Sequence, residues 1–332
     1  MKTELKDWVA SVPKAELHLH IEGSLEPELM MALAAKHGVS LPYENIEQVR
    51  EAYNFHNLQS FLDLYYLGAS VLRDEDDFYQ LMMAYLLRCK QDNVVHTEVM
   101  FDPQTHTARG IGFEIFMPGL QRAIDEAKRQ WGQSCLLIMS FLRHLSEESA
   151  LETLQQATDY IPLISAVGLD SSELGNPPEK FTQVFAKAKA MGLKRVAHAG
   201  EEGPPAYIWG ALQTLDVQRI DHGVRSIEDE NLLEALVNQQ TPLTVCPLSN
   251  TKLKVFAHMR EHNILALLDK GLLVTVNADD PSYFGGYLVD NYHALIEHLP
   301  LNKAQLMQLV KNGFAASFVD EQQKQHWLAQ VV

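Results

Sequence analysis

The stretch QRIDHGVRSIEDENLLEALVNQQTPLTVCP, residues 218–247, decides the fold. Its ends, QRIDHG (218–223) and PLTVCP (242–247), are short β-type runs. Between them ENLLEALVNQQ (230–240) carries its apolar residues at helical spacing. Strand, helix, strand is the unit that lays two strands parallel. Working outward, the same alternation recurs. The other strand-like runs are AELHLH (15–20), VVHTEVMF (94–101), SCLLIMSFL (134–142), AVGLD (166–170), KRVAHAG (194–200) and LLVTVNA (272–278). That makes eight runs, and helix-patterned stretches such as ILALLDKG (264–271) separate most of them. Gly192 and Gly271 each fall between a helical pattern and a strand, where a helix C-cap is expected.

Eight β-then-α units favour a parallel sheet closed into a (β/α)8 TIM-type barrel, an α/β fold. An open doubly wound sheet would use the same elements. The Rossmann glycine pattern is absent, because Gly110-Ile111-Gly112 follows no strand and reads as a loop. Residues 21–93 are too long for one crossover. They read as extra helices inserted after strand 1, for example LQSFLDLYYLGASVL (58–72) and DDFYQLMMAYLLRCKQ (76–91). No linker, low-complexity tract or short repeat appears. The economical reading is one domain over 1–332, with a barrel core of about 13–282 and C-terminal helices over 283–332.

Composition narrows the function. The chain is 46% hydrophobic and 21% charged, which excludes disordered and fibrous classes. Its 43 acidic against 27 Lys and Arg residues give a net charge of −16. Such a field repels phosphate backbones, so neither nucleic acid nor an anionic membrane is an expected partner. No apolar run approaches the ~20 residues of a membrane helix. The leading segment MKTELKDWVASVPKAE lacks an apolar signal core, and Cys89, Cys135 and Cys246 are too scattered for a disulfide framework. A cytoplasmic setting is expected, and a homo-oligomer stays open.

Polar residues gather where these runs end. Run 1 closes on His18-Leu19-His20 before Glu22 and Gly23; run 4 enters Asp170-Ser171-Ser172-Glu173. Run 5 ends His198-Ala199-Gly200-Glu201, run 6 Asp221-His222-Gly223, and run 8 Asn277-Ala278-Asp279-Asp280. In a β/α barrel these ends meet at one mouth. With 14 histidines in 332 residues, a His-x-His pair is weak evidence by spacing alone. On a strand, however, residues i and i+2 share a face, and two neutral imidazoles suit one zinc ion. His198 alone reads as a core histidine, and Asp279-Asp280 alone as a cap or turn. Five such endings on separate runs are poorly explained in that way.

His258-Met259-Arg260-Glu261-His262 matches H-x-x-E-H, but the helical pattern starts only at Ile264, so a polar loop before a helix is expected. The P-C-x-x-C element of cytidine-deaminase-type zinc sites is missing, as are G-x-S-x-G and Walker A.

The segments PKAELHLHIEGSL (13–25), HAGE (198–201), RIDHG (219–223), PLSN (247–250) and VNADDP (276–281) together resemble the adenosine/adenine deaminases of the amidohydrolase superfamily, in the family's order. The resemblance implies a (β/α)8 barrel with one zinc per chain, ligated by His18, His20, His198 and Asp279. It implies that His222 and Asp279 hold and deprotonate a water that adds to purine C6. Glu201, kept protonated, gives a proton to ring N1, and Asp280 meets N7. Every catalytic position is filled by a competent residue, which counts against a silent purine-binding protein. Two-metal amidohydrolases usually carry a bridging lysine at the end of strand 4, where this chain has Asp170.

GLDSSELGNPP (168–178) departs from the adenosine deaminases and is similar to the adenine deaminases. Where the former carry a glycine near purine N3, this chain has Glu173, after Ser171 and Ser172. The resemblance implies that Ser171, Ser172 and Glu173 line the substrate, Glu173 obstructing ribose and accepting the N9–H of free adenine. The expectation is zinc-dependent hydrolysis of adenine to hypoxanthine and ammonia, in purine salvage. The alternative is deamination of adenosine or an N6-modified adenine. Leu58, Phe61, Leu62 and Tyr65 are candidates for an apolar floor, though helical spacing makes them core residues by default.

Overall fold

Eight strands run in chain order around one sheet of this computed structural model, which describes residues 2–55 and 58–332. They are β1 (Lys14–His20), β2 (Val94–Phe101), β3 (Ser134–Leu142), β4 (Ile164–Asp170), β5 (Lys194–Ala199), β6 (Arg219–His222), β7 (Leu243–Val245) and β8 (Val274–Val276). Every neighbouring pair is parallel. Helices cover one face of the strands and barrel-interior side chains the other, so the strand sequences read as nearly continuous apolar runs.

The seam between β8 and β1 closes the barrel and excludes an open doubly wound sheet. His20 N–H donates to Asp279 O at 3.0 Å, and Asp279 N–H to His18 O at 3.1 Å. β8 is only three residues long, so side chains complete the seam. Asn277 Oδ1 accepts from Leu17 N–H at 2.8 Å, and Glu16 Oε1 accepts from Ala278 N–H at 3.0 Å.

Inside the barrel, Met100, Ile138, Ala166 and Val196 form an apolar plug capped by Phe318. Arg219, fully buried, donates to Glu98 Oε2 at 2.7 Å and to Leu17 O at 3.0 Å. Its guanidinium stacks 4.4 Å from the Phe318 ring centroid, which ties the C-terminal segment to the closed end.

Between β1 and β2 lie helices Pro27–His37, Ile46–Ala52, Leu58–Ala69 and Glu75–Gln91. The third ends before the expected residue 72, where Ser70, Val71 and Leu72 form a turn. The fourth starts at a capping box in which Asp74 and Asp77 each accept the other's backbone N–H. Beyond β8, Lys303–Ala316 packs against β1 and β8. No helix among the described residues is long and apolar enough to cross a membrane.

Candidate active site

A strand points successive side chains to opposite faces, yet both residues of Asp221-His222 and of Asp279-Asp280 reach the site. Backbone conformation explains this. His222 (φ 61°), Asp279 (φ 66°) and Ser171 (φ 74°) all adopt left-handed dihedrals at strand ends. That region is uncommon for non-glycine residues and gathers at functional sites. It breaks the alternation just where neighbouring side chains must share the mouth.

His18, His20, His198 and Asp279 converge there. Asp279 Oδ1 lies 3.3 Å from His18 Nε2 and 3.5 Å from His20 Nε2. His20 Nε2 stands 3.3 Å from His198 Nε2. Single donor atoms of His18, His198, His222 and Asp279 all lie within 4.8 Å of one another. The opposite ring nitrogens face acceptors. His18 Nδ1 lies 3.2 Å from Thr244 O, His20 Nδ1 3.4 Å from Asp170 Oδ2, and His198 Nδ1 3.5 Å from Asp221 Oδ2. A proton on each Nδ1 leaves each Nε2 lone pair aimed inward, as in a metal-binding histidine set. His18 Nε2 is buried without a hydrogen-bond partner among the described residues. Three imidazole nitrogens and a carboxylate, 3.3–3.5 Å apart where they face one another, fit one divalent cation such as zinc.

Glu201 and Asp280 sit beside this group. Glu201 Oε2 is 3.5 Å from His222 Nε2, whose other neighbour is Asp279 Oδ2 at 3.8 Å. Burial, then the charge of Asp279, holds the Glu201 pKa well above the ordinary glutamate range. The same two causes raise Asp280. Burial opposes charge on Asp279 too, but the neighbouring His18 outweighs it and keeps that carboxyl well below its usual value. The backbone of Gly23 presses on Asp280: a Cβ there would fall 1.9 Å from Asp280 Oδ1, so only glycine fits.

The segment after β4 corrects the expectation for Glu173. Its buried carboxylate accepts four backbone N–H groups, from Gly200 (2.6 Å), Glu201 (3.1 Å), Glu202 (2.9 Å) and Gly203 (2.8 Å). At Gly203 a Cβ would meet Glu173 Oε1 at 2.4 Å. Glu173 therefore braces the turn that carries Glu201, and its oxygens are not presented to a purine N9–H. Ser172 likewise stands outside the cavity wall; its carbonyl accepts from Asn176 Nδ2 at 3.0 Å. Ser171 does line the cavity, with Oγ 3.1 Å from Tyr66 Oη and 2.8 Å from His144 Nδ1.

The cavity has two kinds of wall. Leu58, Phe61, Leu62 and Phe284 are apolar, so the helix over 58–69 serves as both core and floor. Asp102, Asp170 and Tyr65 form an acidic wall; Asp170 stood among the polar run ends and Tyr65 among the floor candidates, while Asp102 was not assigned to the site from sequence. Tyr65 donates to Asp102 Oδ2 at 2.9 Å. Burial, then the nearby Glu22, pushes the Asp102 pKa up to about 6. Asp102 directly follows the run VVHTEVMF and precedes Pro103, with no motif around it to single it out. Asp221 stood within the quoted RIDHG, one residue before the histidine that drew attention.

A closed barrel that gathers histidines, an aspartate held low and a glutamate held high at its C-terminal mouth has the layout of a metal-assisted hydrolase. The adenosine deaminase family model matches residues 13–332, and the chain belongs to that family. Among its relatives, adenine deaminase of Hahella chejuensis is 58% identical over 327 residues, covering 98% of each chain. Adenine deaminase of Wolinella succinogenes is 56% identical over 99% of each. The crystal structure of adenine deaminase from Arthrobacter aurescens, 48% identical, superposes with a TM-score of 0.95, covering 97% of this chain and 98% of that one.

Proposed function

We propose that the chain hydrolyses adenine to hypoxanthine and ammonia, using one zinc ion held by His18, His20, His198 and Asp279. The observation that carries this reading is the convergence of His18, His20, His198 and Asp279 at one mouth, with the buried carboxyls of Glu201 and Asp280 beside them. When bound, zinc supplies a Lewis acid that makes water nucleophilic near neutral pH.

The chain's own residues do the rest. Glu201 donates its proton to ring N1, which draws electrons from C6 and readies it for attack. Asp280, also held protonated, donates to the N7 lone pair and fixes the ring's orientation. Asp279, kept ionised, is the acceptor for the proton that water must lose. Leu58, Phe61, Leu62 and Phe284 hold a flat ring and exclude bulk water, which strengthens every polar contact inside. The preference for free base is supported by the high identity to proteins named adenine deaminase. Such an activity would recover purine nitrogen and base, a salvage role.

Ammonia release from adenine, adenosine, AMP and N6-substituted adenines, with and without a chelator, tests the proposal. Adenine should give the highest kcat/KM, and chelation should abolish turnover. A higher kcat/KM for adenosine would overturn the free-base assignment.

A further inference from the structure

Two sequence motifs lie outside this account: the PLSN of 247–250 and the second histidine of HMREH (258–262). In the structure they meet behind His222. The chain of contacts starts at a group whose role is unambiguous. Ile264 N–H donates to His262 Nδ1 at 3.1 Å. A backbone nitrogen only donates, so that ring nitrogen is bare and neutral His262 carries its proton on Nε2. His262 Nε2 lies 3.3 Å from Asn250 Oδ1, which accepts this proton. The Asn250 amide is thereby oriented, and its Nδ2 donates to His222 Nδ1 at 3.2 Å. His222 Nδ1 is therefore bare too. The neutral His222 ring carries its hydrogen on Nε2, the nitrogen that faces Glu201 and Asp279.

Packing keeps this relay in one state. Asn250 is 0%, His222 1% and His262 4% exposed, so water cannot substitute for any member. Burial pushes the His262 pKa down to about 3, and its Nδ1 accepts a backbone N–H, so this ring stays neutral. Phe256 packs on the His262 ring at 4.4 Å, and Phe256 N–H donates to Asn250 O at 3.1 Å.

We infer that Asn250 and His262 are positioning residues that lock His222 in the Nε2–H tautomer. His222 then offers a hydrogen-bond donor to an oxygen at C6, where the family resemblance implied that it shares in deprotonating water. The same tautomer removes His222 from the ligand set. Its inward nitrogen carries a proton, although its position alone would suit a metal as well as that of His18 or His198. The role of His222 toward substrate rests on the function proposed above; its tautomer does not.

The test uses full-length, metal-loaded protein with 15N-labelled histidine, and NMR that separates bare from protonated ring nitrogens. The His222 signals are identified by their loss in His222→Asn. The expected result is a bare Nδ1 and a protonated Nε2. Asn250→Asp places an acceptor where the donor stood and should invert the pattern. It should also lower kcat by about 10²–10⁴-fold, as a wrong tautomer does in serine proteases, with KM and metal content nearly unchanged. His262→Gln, whose amide can donate to the same oxygen, should recover kcat relative to His262→Leu. A wild-type His222 protonated on Nδ1, or an Asn250→Asp variant with neither inversion nor loss of kcat, would overturn the relay. If adenine proved not to be the substrate, the NMR result would still stand, so the two failures are distinguishable.

Discussion

In the proposed reaction Glu201 acts as a carboxylic acid. Burial first, and then the charge of Asp279, raise its pKa well above the ordinary glutamate range. The sign follows: kcat/KM should fall as pH rises through that value, giving an alkaline limb in the rate profile. Glu201→Gln keeps the shape but cannot give a proton. It should retain metal and lower kcat by about 10²–10⁴-fold; steady-state rates near wild type would remove the general-acid role. Glu173 acts one step back. Glu173→Ala would leave four backbone N–H groups without their acceptor, so kcat should fall while metal content holds. Glu173→Gln, which keeps one acceptor oxygen, should lose less. Wild-type kcat in Glu173→Ala would show that the turn needs no anion. The sequence could announce that Glu173 was unusual for its position. It could not show where the carboxylate turned, because the left-handed Ser171 redirects the chain two residues earlier.

At the scale of elements, the strand runs were legible because parallel strands buried on both faces are almost continuously apolar. Their ends were less so. β7 and β8 keep only three residues of the runs that announced them; a helix begins at Pro247 just after β7, and the left-handed Asp279 follows the run of β8. Polar strand ends could be read as a set, but partners brought together through space could not. Asn250 and His262 lie 12 residues apart, joined only by the fold. The β8–β1 seam is equally invisible in sequence, because Asn277 and Glu16 replace backbone pairing with side chains. Asn277→Ala would leave Leu17 N–H buried without a partner, at a cost of about 1–3 kcal/mol. Urea denaturation should show that loss, and weaker metal retention should accompany it, since His18 and Asp279 flank the seam. An unchanged midpoint would mean that the seam is held elsewhere.

For the molecule as a whole, the mouth does chemistry and the closed end carries stability. Arg219 and Glu98 pair inside the barrel and anchor Phe318. Arg219→Met would strand the Glu98 charge, and losing one partner of such a buried pair costs about 3–5 kcal/mol. A markedly lower thermal midpoint is expected; a midpoint unchanged from wild type would count against the pair. Burial opposes charge on Glu98, but Arg219 prevails and its pKa falls below the ordinary 4.5. The unfolded chain therefore takes up this proton first on acidification. The stabilisation is complete above about pH 4.5 and fades as pH falls through the lower folded value. Glu98→Gln should flatten that part of the stability profile.

Metal stoichiometry measured together with adenine turnover, in wild type and in His18→Ala, tests the central claim most directly. The account predicts one equivalent of divalent ion and active deamination in the wild type, and loss of both in the variant. A wild-type protein that turns over adenine with no stoichiometric metal, or a His18→Ala variant that keeps both metal and activity, would contradict it.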